Sequence, residues 1–138
     1  MEHVEELTQL LIEFYEKFSS WEHSVVKGKG ITLPQMHTIE ILGASGNLRM
    51  KELAEKMGIT TGSLTVLVDR LEKKGLVGRT PHEEDRRSIR VSLTDKGMKH
   101  FQEHHNLHAR LTQEITGPLS PDEISSMIDL FKKAIARF

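Results

Sequence analysis

The sequence predicts a mostly helical chain carrying one small β-hairpin, an α+β fold, and three observations carry that expectation. Apolar residues recur at three- and four-residue spacing over 4–26, 64–71 and 124–135, the period of amphipathic helices. Two short apolar or β-branched runs, 76–80 and 89–93, flank the charged, proline-containing segment 81–88, as in a hairpin with a long exposed tip. A length of 138 residues, 37% of them hydrophobic, suffices for one modest core, so one folded unit is expected.

Each element follows from local signals. Val4, Leu7, Leu11, Phe14, Phe18 and Trp21 form the stripe of a first helix that ends at Lys27-Gly28-Lys29-Gly30. Pro34 suits the first turn of a second helix, where its missing N–H does no harm, and that helix is expected to run to about Leu42. Gly43–Gly46 reads as a turn and Leu48-Arg49-Met50 as a very short strand. A third helix over Lys51–Met57 turns Leu53, Ala54 and Met57 inward. Gly58 supplies its C-cap and Thr60 or Thr61 the N-cap hydroxyl of a fourth, whose buried stripe is Leu64, Leu67, Val68 and Leu71 up to Gly75. Beyond the hairpin, Thr94 caps a fifth helix to about Ile115. Ser120-Pro121-Asp122-Glu123 is a capping box with proline at its first position, opening a sixth.

Composition excludes several classes of function. No stretch approaches the ~20 apolar residues of a membrane span, and the N-terminus lacks the apolar core of a secretory signal, so a soluble, cytoplasmic protein is expected. With zero cysteines there is no disulfide framework, thiolate metal site or thiol-based redox sensor, and a metal would be held by nitrogen and oxygen. The formal charge is only −1, yet residues 49–99 hold 12 Lys+Arg against 8 Asp+Glu. The middle of the chain is therefore the plausible face for phosphates.

Two short helices joined by a glycine turn place the second for insertion into a DNA major groove, and the third and fourth helices have that form. The buried stripe of the fourth leaves Thr61, Ser63, Thr65, Val66 and Arg70 outward as candidate groove contacts. Threonine and valine methyls pack on thymine methyls, and hydroxyls bond phosphates or bases. The hairpin adds Arg86, Arg87 and Arg90 as candidates for the narrow minor groove of A·T-rich DNA. Helix pair and hairpin together describe a winged helix-turn-helix.

The strings LAEKMGITTGSLTVLVDRLEKKGLV and DRRSIRVSLTDKG resemble the multiple antibiotic resistance regulator (MarR) family across essentially the whole chain. The second fits the family's wing pattern at Asp85, Arg87, Leu93, Thr94 and Gly97. The resemblance implies a DNA-binding transcriptional regulator, a homodimer whose terminal helices, residues 1–30 and 98–138, form the dimerisation region. Residues 31–97 then form the DNA-binding region of a single domain, and two such regions bind a pseudo-palindromic site. Ile124, Met127, Ile128, Leu130, Phe131 and Ile135 in the sixth helix support a partner independently, since their apolar arc is broader than a small monomer normally exposes.

Eight histidines stand in 138 residues, and His100, His104 and His108 recur every four residues on one face of the fifth helix, where two imidazoles one turn apart can share an ion. The arrangement is similar to the zinc-responsive repressors within the family. That resemblance matches Glu103, His104 and His108 to their helix motif, His37 in LPQMHTIEIL to their second-helix histidine, and Glu22, or its neighbour His23, to their first-helix glutamate. The implied metal ligands are Glu22, His37, His104 and His108, with zinc as corepressor. The second metal site of that group uses cysteine, which this chain lacks. A hydrolytic metal site is disfavoured, because no Glu follows the first histidine of His104-His105-Asn106-Leu107-His108 to act as base. The competing reading within the same fold is a pocket for a small aromatic acid, lined by Trp21, Met36 and His37, whose ligand releases DNA.

Overall fold

The computed structural model describes residues 1–81, 84 and 88–138. Its elements are α1 (Glu2–Val26), α2 (Leu33–Ser45), β1 (Leu48–Arg49), α3 (Met50–Met57), α4 (Thr61–Lys73), β2 (Val77–Pro81), β3 (Ile89–Leu93), α5 (Asp95–Thr116) and α6 (Pro121–Ile135). The fold is thus mostly helical with one small antiparallel sheet of order β1-β3-β2. Val77 pairs with Leu93 and Pro81 with Ile89 across the hairpin, while Leu48 and Arg49 pair with Val91 and Arg90. No described helix is long and apolar enough to cross a membrane.

The expected proline stands in the first turn of α2, where Thr32 and Gln35, not singled out in the sequence, form a reciprocal capping box, and at α4 the Ser63 N–H donates to the Thr60 hydroxyl, one of the two expected caps. At α6, Ser120 and Glu123 satisfy each other's backbone donors, and hydrogen bonds to the Glu123 carboxylate from the Ser120 backbone N–H, foremost, and the Ser120 side chain hold that carboxyl below its ordinary pKa. The expected turn at Gly43 is not formed. Helix α2 continues to Ser45 and is capped by Gly46 at φ 75°. Gly43 serves side-chain packing instead, because a Cβ there would lie 2.1 Å from the Phe101 ring.

Met1–His104 form one compact unit and His105–Phe138 a second. In the first, Met36, Ile39, Leu42, Leu53, Leu64, Val68, Leu71, Leu76 and Val91 are almost fully buried. Lys74 closes this core at one edge, its Nζ donating to the Gly30 carbonyl at 2.6 Å and to Gln35 Oε1 at 2.7 Å. The apolar stripe of α1 reaches this core only at its C-terminal end: Val26 is buried and Trp21 half-buried, whereas Val4, Leu7, Leu11 and Phe14 are exposed. In the second unit α6 has no buried residue, and Leu130 and Phe131 remain 63% and 46% exposed.

One junction joins hairpin to α5. The Thr94 hydroxyl donates to the Gly75 carbonyl at 2.6 Å and accepts from the Gly97 N–H at 3.1 Å, while the Thr94 N–H donates to the Leu76 carbonyl. A Cβ on Gly97 would stand 2.0 Å from that carbonyl oxygen. Replacing glycine by alanine inside a helix ordinarily adds up to ~1 kcal/mol of stability. Gly97→Ala is expected to do the opposite and destabilise by ~1–3 kcal/mol through overpacking, as measured by urea denaturation; a stabilised variant would refute the close approach.

Candidate nucleic-acid interface and metal centre

The α3–turn–α4 pair is set by Gly58, left-handed at φ 67°, whose N–H caps α3 on the Ala54 and Glu55 carbonyls. Leu64, Val68 and Leu71 then anchor α4 in the core, and Thr61, Ser63, Thr65, Val66 and Arg70 are all exposed. Several of their polar atoms are engaged locally. The Thr65 hydroxyl donates to the Thr61 carbonyl at 2.8 Å, and the Ser63 hydroxyl accepts from Thr60 at 3.1 Å. What this face offers outward is mainly methyl surface, Val66 being 51% exposed, bordered by hydroxyl oxygens and the Arg70 guanidinium.

Arg79 of β2, not singled out in the sequence, fastens the hairpin to α4. Its Nη1 lies 2.7 Å from Asp69 and 3.5 Å from Glu72, and Nη2 donates to the Thr65 carbonyl at 3.4 Å. The spacing of Asp69 and Glu72, three residues apart on one helix face, was the signal for such a partner. A cleft of about 360 Å³ beside it is lined by Met50, Thr61, Thr65, Asp69, Arg79 and Ile89.

The hairpin arginines fare differently. Arg86 and Arg87 lie outside the described residues. Arg90, expected at the exposed tip, stands within β3 opposite Thr80 and Arg49. It is half-buried, with Nη1 donating to Asn47 Oδ1 at 2.9 Å. Alternation of Ile89 and Val91 extends the strand ladder past this residue, which draws Arg90 into the base of the hairpin.

A second cluster gathers side chains of α1, α2 and α5. His104 is fully buried, and its Nε2 lies 2.6 Å from Glu40 Oε1 and 3.3 Å from Glu22 Oε2. The candidate ligand atoms of these three residues lie within 4.8 Å of one another. The Trp21 ring centroid is 6.4 Å from that of His104. Of the four predicted ligands, Glu22 and His104 meet here, and His108 follows His104 by one turn of α5, on the same helix face.

His37 is not brought to this cluster. Gln35, Met36, Ile39 and Leu42 define the buried face of α2, and at 3.6 residues per turn His37 points roughly 160° away from Gln35 and Ile39. It is exposed. Glu40, roughly 40° from Met36 by the same count, occupies the place expected of it. The sequence held this signal in the helix phase of HTIE, which separates two candidate ligands one turn apart. Trp21, Met36 and His37 likewise do not share one lining: Met36 is buried in the core, His37 is exposed, and Trp21 stacks near His104.

His104→Ala removes the imidazole shared by two half-buried carboxylates and is expected to destabilise the fold by ~1–3 kcal/mol. His37→Ala should change stability by less than about 0.5 kcal/mol, as exposed positions usually do. Chemical denaturation of the two variants side by side tests the assignment, and equal losses would contradict it.

The family model for the MarR family matches residues 31–89. An uncharacterized HTH-type transcriptional regulator of Bacillus subtilis, YkoM, is 32% identical over 137 residues, covering 96% of this chain and 88% of its own length. The multiple antibiotic resistance protein MarR of Escherichia coli K12 is 32% identical over 106 residues, covering 76% and 74% of the two chains. Among solved structures, a MarR family protein from Bacillus stearothermophilus superposes with a TM-score of 0.90 at 27% identity, covering 99% of this chain and 95% of that one.

Proposed function

Since this chain belongs to the MarR family, whose members are DNA-binding transcriptional regulators and not enzymes, we propose that it is a repressor acting as a homodimer on a pseudo-palindromic operator. The observation that carries this reading is the outward, methyl-rich face of α4, held rigid by the core on one side and by Arg79 on the other. Helix α4 enters the major groove, where Thr61, Ser63, Thr65 and Val66 meet base edges and Arg70 a phosphate. Arg86 and Arg87 reach the minor groove, and Arg90 supports the base of the wing. The exposed apolar faces of α1 and α6 are each covered by the second subunit. Residues 1–30 and 98–138 form the dimerisation region in this reading, and residues 31–97 the DNA-binding region.

The proposed input is a divalent metal, zinc, acting as corepressor. The predicted ligands Glu22, His37, His104 and His108, carried by α1, α2 and α5, favour on metal binding the conformation that binds DNA. The competing reading, release of DNA by an aromatic acid, gains less support, because Met36 is buried in the core while His37 is exposed, so Trp21, Met36 and His37 do not share one lining.

Band shifts with a duplex from the regulated promoter test the proposal. Affinity is expected to fall steeply with salt, as phosphate contacts require, to rise with zinc and to fall with chelator. Val66→Glu should lose specific binding while its stability changes by less than about 0.5 kcal/mol, as is usual at an exposed position. Salt-independent binding, or full binding by Val66→Glu, would overturn the DNA-reading role. An unchanged curve with zinc and chelator would overturn the metal's role alone.

A further inference from the structure

We infer that the α2 ligand of the metal centre is Glu40 and not His37, so that the ion sits in a carboxylate-rich set of Glu22, Glu40 and His104. The inference rests on the metal-input reading above and specifies its chemistry. Three helices deliver the three donors to one point, with His104 fully buried between the carboxylates. Donor atoms around a tetrahedral zinc stand about 3.3–3.6 Å apart, because each lies ~2.0–2.2 Å from the ion. The atoms here fall within 4.8 Å of one another, so shifts of about an ångström in flexible glutamate side chains close them on one ion. His37 lies roughly 60° around α2 and about 4.5 Å along it from Glu40, so placing it on the ion would turn and slide the helix against the burial of Met36, Ile39 and Leu42.

The donor set also defines the class of ion. Carboxylates favour harder cations such as manganese, whereas imidazoles favour zinc, cobalt and nickel. Replacing an imidazole by a carboxylate therefore narrows the preference for zinc over manganese without reversing it. Copper(I) and other soft ions are disfavoured because neither cysteine nor a thioether joins the set.

Trp21, the chain's one tryptophan, stands beside His104 and reports on the site directly. Titration of the full chain with zinc chloride is expected to change its fluorescence with saturation at one ion per chain. Glu40→Gln should weaken binding at least ~10-fold, on the scale of ligand-shell substitutions, while His37→Ala stays within about twofold of the parent. Zinc X-ray absorption should count as many imidazoles in His37→Ala as in the unsubstituted protein, which keeps the test independent of whether Glu40→Gln folds. One imidazole fewer in His37→Ala, or a tenfold loss of affinity in His37→Ala with none in Glu40→Gln, would overturn the Glu40 assignment and leave the metal-input reading standing. No zinc bound by the parent protein would overturn both.

Discussion

The contact of Gly97 with the Leu76 carbonyl, sealed by Thr94, is the constraint on which the rest depends. It binds the start of α5 to the end of the α4–β2 connection through two hydrogen bonds from Thr94 and one van der Waals approach that only glycine permits. Helix α4 is held on its other sides by the core and by the Arg79 bridge. The junction thus connects α5 to the hairpin, and Arg79 of the hairpin in turn pairs with Asp69 and Glu72 of α4.

This junction also explains why the candidate metal centre sits where an input would be useful. His104 follows Gly97 by two turns on the same helix and meets Glu22 and Glu40 from α1 and α2. An ion shared by those side chains would hold α5 against α1 and α2, next to the Thr94 junction that joins α5 to the hairpin. The buried imidazole and its carboxylates already make these contacts through hydrogen bonding. Metal binding would strengthen an arrangement that the fold supplies, which is how a ligand shifts a population.

Two faces left apolar in the single chain, on α1 and on α6, fit the same economy. Helix α6 has no buried residue, and its exposed Leu130, Phe131 and Ile135 are the surface that the proposed second subunit would cover.

The sequence by itself determined the elements. Caps at Thr32, Thr60, Thr94 and Ser120, the left-handed glycine at 58 and the periodic stripe of α4 are local signals, and local hydrogen bonding and helix phase obey them without outside help. The outward face of α4 was legible for the same reason, since a buried stripe at helical period leaves its complement exposed. What only the tertiary structure decided were the long-range pairings. Gly43 stays helical because of Phe101, 58 residues away in sequence. Arg79 belongs to α4 because the hairpin folds onto it, and Arg90 belongs to a strand ladder instead of a tip. The choice between His37 and Glu40 was of this kind too. Both offer ligand atoms one turn apart, and the burial of one face of α2 against α3, α4 and the sheet rotates the first outward and the second toward His104.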